Sequence, residues 1–237
     1  MKDLKNYGFN TSKLFYTVAE IGINHGGDED LAKKLIDSAV RAGADSVKFQ
    51  TYLTEKRVPN DSPIFHILKQ CELPFEAFEK LKKHAEGQGV EFFSTPFDPE
   101  SAKYLNTIQP VFKIASSDND YISLIKTVTS FGKPMIVSCG IAELNLIDIV
   151  CSKVNEIWSD KNINPGLALL HCVSSYPTPP EQANLNAITT IKKQFPEKII
   201  GYSDHTLGIQ AAVSSVALGA RIVEKHFTLD KNYSDFR

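Results

Sequence analysis

Cysteine is scarce in this chain of 237 residues, and what there is does not form a framework. Cys71, Cys139, Cys151 and Cys172 include no CxxC pair and no regular spacing, so neither a disulfide scaffold nor a structural zinc site is expected. Cys139 and Cys172 lie inside apolar runs, as buried free thiols do. Charge of one sign is also missing. The net charge of -2 supplies no basic field for nucleic acid or an anionic membrane, so an anionic small molecule would have to be held by a few local cations. No apolar run approaches the length of a membrane span. The N-terminal MKDLKNYGFNTSKLFYTV carries no signal-peptide pattern, which makes a reducing cytoplasm the expected location. No GxGxxG follows the first apolar run, which argues against a dinucleotide-binding sheet.

What is present is a regular alternation. Short runs rich in β-branched and aromatic residues predict strands at 16–23, 44–51, 90–96, 111–116, 134–140, 166–173, 198–205 and 220–228. Amphipathic stretches between them predict helices, such as 28–43 with Leu31, Leu35 and Ala39 on one stripe, and 74–89 with a proline at its start. Eight strands in strict alternation, with polar residues spread over all the strand ends, predict a (β/α)8 TIM barrel of the α/β class, one domain over 1–237. Residues 54–73 form a long insertion after the second strand. The chain stops at DKNYSDFR, just past the eighth strand, so a barrel truncated before its eighth helix is expected.

Barrel enzymes draw their chemistry from the C-terminal ends of several strands. Those ends here carry Glu20, Asn24 and His25; Lys48 and Gln50, two apart and so on one face; Ser94 and Thr95; Lys113 and Ser116; Ser138; His171, Ser174 and Tyr176; Ser203, Asp204 and His205; and Glu224, Lys225 and His226. His205 and His226, on neighbouring strands, either share a divalent metal or are hydrogen-bonded packing groups. Lys48 and Lys113 sit in apolar strands where an unpaired ammonium is unfavourable. They are explained by a bound phosphate or carboxylate, by ion pairs to Glu20 or Glu224, or by a Schiff-base role as in metal-free aldolases. Ser116, Ser138 and Ser203 add hydroxyl donors, and Glu20 and Glu224 are either acid/base groups or supports for a metal-bound histidine.

The segments AEIGINHGGDEDLAKKLIDSAVRAGADSVKFQTY, STPFD, KIASSD, HCVSSYPTPPEQANLNAI, GYSDHTLGI and ALGARIVEKHFTLDK run collinearly through the chain. In them the sequence resembles the N-acetylneuraminate (sialic acid) synthase family, which includes spore-coat polysaccharide, legionaminic and pseudaminic acid synthases. The resemblance implies an enzyme that condenses phosphoenolpyruvate with N-acetylmannosamine or a related 2-acetamido sugar, releasing phosphate, with Mn2+ or Mg2+. It implies metal ligands at His205 and His226; catalytic groups at Glu20, Lys48, Lys113 and Asp118; and substrate contacts from Gln50, Ser116, Ser138, Tyr176, Ser203 and Glu224. Asp118 stands where these synthases typically carry Glu, and Ser174 where several bacterial members have Asn. The resemblance also implies a C-terminal antifreeze-like domain beyond this chain and a homodimer at full length. Two alternatives remain: a sibling synthase acting on another acetamido sugar, and an aldolase using Lys113.

Overall fold

The computed structural model describes residues 4–7 and 13–231. These form eight parallel strands separated by helices, the (β/α)8 class expected from the alternation. The strands are β1 (Tyr16–Gly22), β2 (Ser46–Thr51), β3 (Glu91–Pro96), β4 (Phe112–Ile114), β5 (Met135–Ser138), β6 (Leu167–Cys172), β7 (Ile199–Asp204) and β8 (Ile222–His226). Each falls within its expected run. The helices are α1 (Glu29–Arg41), α2 (Thr54–Arg57), α3 (Phe65–Cys71), α4 (Phe75–Gly87), α5 (Pro99–Leu105), α6 (Ile122–Ser130), α7 (Leu144–Asp160), α8 (Asn186–Gln194) and α9 (Gln210–Ala217). Among the described residues no helix is long and apolar enough to cross a membrane. The described residues divide into two compact units, one made of residues 18–109 and 226–231, the other of residues 4–7, 13–17 and 110–225.

In the first unit the strands run in the order β3-β2-β1. Their register pairs Glu20 with Lys48, Lys48 with Phe93 and Gln50 with Thr95, so these residues share one face. The opposite face packs Val47, Phe49 and Phe92 against Leu35, Ile36, Ala39, Phe78 and Leu81 of α1 and α4. α1 begins where the Asp28 carboxylate accepts the N–H groups of Asp30 and Leu31, satisfying two donors that the first turn leaves without a partner. The 54–73 insertion is not one open loop. Glu72 accepts both the Thr54 N–H (2.8 Å) and the Thr54 hydroxyl (2.5 Å), and the Tyr52 hydroxyl donates to the Leu68 carbonyl (2.9 Å). These bonds close the segment on itself around α2 and α3.

In the second unit the order is β8-β7-β6-β5-β4. The register places Lys113, Ser138, Leu170, Cys172, Gly201, Ser203 and Glu224 on one face. Gly201 is dictated by space: a Cβ there would meet the Leu170 Cδ2 and the Ile222 carbonyl oxygen, each at 2.4 Å. α7 runs on to Asp160 because Val154 and Trp158 extend the buried stripe of Ile147, Val150 and Cys151. The Trp158 indole N–H also finds the Thr129 carbonyl at 3.1 Å.

Candidate active site

In the unit built on β1–β3, three of the expected residues meet. The Lys48 ammonium lies 2.7 Å from the Glu20 carboxylate and donates to the Thr95 hydroxyl at 3.1 Å. The Gln50 amide donates to the other Glu20 oxygen at 3.3 Å. Lys48 and Glu20 are both buried, so the ion-pair explanation for this lysine holds in the ligand-free chain. Thr95, named among the strand ends but given no role from sequence, is thus a contact of Lys48. Strand parity carries the signal, since Thr95 is the register partner of Gln50 whereas Ser94 faces the other way, 2.7 Å from the Thr51 hydroxyl. Asn24 and His25, also at the end of β1, serve the turn instead. Asn24 donates to the Phe227 carbonyl (2.9 Å), and the His25 Nδ1 accepts the Gly27 N–H (3.1 Å). Burial holds the His25 imidazole neutral, with its pKa lowered to about 4 against the opposing pull of the Gly22 carbonyl and Asp28. His226 ends β8 as an exposed residue.

In the unit built on β4–β8, the Lys113 ammonium lies 3.4 Å from the Glu224 carboxylate, and the Ser203 hydroxyl donates to the same oxygen at 3.1 Å. Lys113, Glu224 and Ser203 are all buried. His205 is fixed from two sides. Its Nδ1 is 2.6 Å from the Val173 carbonyl, and the Tyr176 ring stacks on it with centroids 4.0 Å apart. A carbonyl only accepts, so Nδ1 carries a proton, and Nε2 is the ring nitrogen turned to the Ser203 hydroxyl, at 3.4 Å. The loop bearing His205 is braced by Asp204, which turns the other way. The Asp204 carboxylate accepts from the Thr206 N–H (2.9 Å) and hydroxyl (2.8 Å) and pairs with Lys225 at 2.7 Å. Thr178 adds an N–H to the His205 carbonyl at 2.9 Å.

Cys172 is the residue of β6 that shares this face, its sulfur 3.8 Å from the His205 ring; burial pushes its thiol pKa up. His171, its neighbour, faces away, bonded to the Ala183 carbonyl (2.9 Å) and stacked on Tyr202. Ser116 and Ser174 converge at Gly140. A Cβ on that glycine would meet both hydroxyl oxygens at 2.6 Å, so only glycine admits them there. Ser138 is buried, and among the described residues its hydroxyl has no hydrogen-bond partner. Asp118 closes the short 3-10 turn Ser116–Asp118, half-buried, and accepts the Ser117 hydroxyl at 2.6 Å.

The arrangement in the β4–β8 unit can take an anion. It offers a buried ammonium, several hydroxyls at the C-terminal ends of parallel strands, and one buried hydroxyl left to be satisfied. It also suits one metal ligand. A metal-bound histidine donates its other ring N–H to a carbonyl or carboxylate, which is the relation of the His205 Nδ1 to Val173.

The sequence model of the NeuB family matches residues 35–236. An uncharacterized protein of Methanocaldococcus jannaschii is 46% identical over 92% of this chain and 63% of its own length. The N,N'-diacetyllegionaminic acid synthase of Campylobacter jejuni is 38% identical over 92% of this chain and 68% of its own length. The crystal structure of the N-acetylneuraminic acid (sialic acid) synthetase from Leptospira borgpetersenii superposes with a TM-score of 0.87 at 38% identity, covering 93% of this chain and 75% of that one. The chain thus spans roughly two thirds of the length of the curated relatives it matches.

Proposed function

The chain belongs to the NeuB family, and from that premise we propose that it carries the barrel of an enzyme condensing phosphoenolpyruvate with a 2-acetamido sugar to give a nonulosonic acid and phosphate. The observation that carries the reading is the buried Lys113 ammonium, paired with Glu224 beside the Ser203 hydroxyl, at the C-terminal ends of β4, β7 and β8. An incoming phosphate or carboxylate can take up the Lys113 charge in place of Glu224 and receive the hydroxyl protons of Ser203, Ser116 and Ser138. On the family pattern Lys48, here paired with Glu20, would also contact an anionic group of substrate.

In the reaction, the methylene carbon of phosphoenolpyruvate forms the new C–C bond to the open-chain aldehyde. Water adds to the middle carbon, and C–O cleavage then expels phosphate. Glu20 and Asp118 are the carboxylates assigned to move the proton gained by the aldehyde oxygen and the one lost by water. Gln50 and Tyr176 would position the sugar, and Glu224 would hold Ser203 and Lys113 in place until substrate binds. On the family pattern, His205 and His226 would hold a divalent cation, Mn2+ or Mg2+; His205 has the carbonyl-anchored orientation this needs. Bound there, the cation would supply Lewis-acid polarisation of the sugar carbonyl. The full-length protein is expected to act as a homodimer without nucleic acid or membrane, in the cytoplasm.

The test is phosphate release from phosphoenolpyruvate, with N-acetylmannosamine and a panel of other 2-acetamido sugars, with Mn2+ and with EDTA. Release that needs both metal and one sugar is the expected result, and the sugar that works identifies the substrate. Silence with every sugar, together with borohydride trapping of a pyruvoyl adduct on Lys113, would replace this reading with the aldolase.

A further inference from the structure

We infer that Asn119 is a positioning residue for the phosphate- or carboxylate-binding serines, acting through the backbone at the end of β5; this rests on the function proposed above. Asn119 is buried, and its amide nitrogen donates to two carbonyls, those of Ser138 (3.2 Å) and Gly140 (2.8 Å). A third bond runs the opposite way, from the Gly140 N–H to the Ser116 hydroxyl oxygen at 3.1 Å. The turn after β4, which bears Ser116, and the end of β5, which bears Ser138, are thus tied at three points, two of them supplied by Asn119.

Two further observations show why the tie is needed. Ser138 is 1% exposed and its hydroxyl has no hydrogen-bond partner among the described residues, so its position is set by its backbone alone. The residue after Gly140 is Ile141, a β-branched residue at φ 61°, where the chain is strained and must be held from outside. Ile141 is 83% exposed and gains little from packing. Asn119 is therefore the side chain that holds the 138–140 segment against that strain. Because the Ser116 oxygen accepts from Gly140, its hydroxyl hydrogen points away from Gly140, as a donor to an anion must.

The experiment compares Asn119→Ala and the isosteric Asn119→Asp with the wild type in the full-length protein. Binding of phosphoenolpyruvate and of inorganic phosphate is read by calorimetry, and KM for each substrate by phosphate release. Asn119→Asp keeps the shape but leaves at most one donor, the carboxyl proton, for the two carbonyls. Both variants are expected to weaken phosphoenolpyruvate binding by about tenfold or more, to raise its KM in step, and to leave the KM of the sugar within about twofold. Val128→Ala, a buried residue of α6, controls for lost stability and should leave both affinities unchanged. Wild-type-like phosphoenolpyruvate affinity in Asn119→Asp overturns the inference, as does an equal loss in Val128→Ala. A wild type that binds neither phosphoenolpyruvate nor phosphate overturns the proposed function itself, and this inference with it.

Discussion

The Lys48 ammonium and the Glu20 carboxylate meet at 2.7 Å with 4% and 3% of their side chains exposed, so each charge depends on the other for its place in the interior. Removing one partner takes away the counter-charge of a buried ion, whereas removing both takes the charges out together. Glu20→Leu and Lys48→Met are each expected to destabilise the protein by about 3 kcal/mol, and the double variant Glu20→Leu/Lys48→Met by less than either single change. Urea denaturation of the three variants decides this. A double variant as unstable as the sum of the singles would show that the two charges do not compensate each other. Under the proposed function all three lose activity, whatever their stability.

Acid sensitivity provides a second test. His25 is neutral in the folded state, with a pKa of about 4 set by burial, against an ordinary value of 6.5. The unfolded chain therefore binds a proton between those two values that the folded chain refuses, and stability falls as pH drops through that window. Above pH 6.5 the two states match and the contribution is complete; below about pH 4 the loss levels off. The shift corresponds to about 3 kcal/mol. The His171 pKa, lowered chiefly by burial, adds a loss of the same sign. His25→Gln should flatten the pH 7 to pH 4.5 stability profile substantially. A variant profile as steep as that of the wild type would assign the acid sensitivity to other groups.

Much of this was legible in the chain before its structure. All eight strands lie where apolar β-branched runs predict them, because a strand covered on both faces leaves a short, uninterrupted signature. Lys48, Glu20 and Gln50 were found together because parity along a strand is readable and buried lysines are rare. The internal order of the insertion was not legible, because it comes from Thr54, Tyr52 and Glu72 bonding across gaps of 16 and 18 residues, which leave no periodic trace. Asn119 escaped for a related reason, since a lone amide next to turn residues reads as turn chemistry. Cys172 was read only as a buried thiol, although its parity with Leu170 places it on the face of Ser203.

Close packing at Gly201 makes a prediction that concerns stability alone. Gly201→Ala puts a methyl group 2.4 Å from both the Ile222 carbonyl oxygen and the Leu170 Cδ2. The carbonyl belongs to a strand and cannot turn aside, so the strands themselves must shift, at a cost of about 1–3 kcal/mol. Leu170→Ala in the same background removes one of the two clashes and should recover part of that loss relative to the additive expectation. Strict additivity, measured by urea midpoints, would place the clash elsewhere.

The last prediction concerns the imidazole of His205. Its Nδ1 proton is committed to the Val173 carbonyl at 2.6 Å, and the Tyr176 ring covers one of its faces, so Nε2 is the nitrogen left to meet a cation. Ser203 does not compete strongly for it, since the single hydroxyl proton has a closer acceptor in Glu224, at 3.1 Å against 3.4 Å. His205→Ala should therefore abolish Mn2+ binding measured by calorimetry or by electron paramagnetic resonance. Tyr176→Ala removes only the stacked ring and should weaken metal binding by a smaller factor, of about tenfold, the range found when groups that orient a ligand are lost. Neither change should move the affinity for inorganic phosphate, which Lys113 and the serines hold by another route. Mn2+ binding unchanged in His205→Ala would take this histidine out of the metal site and return it to the packing role that its buried ring could equally serve.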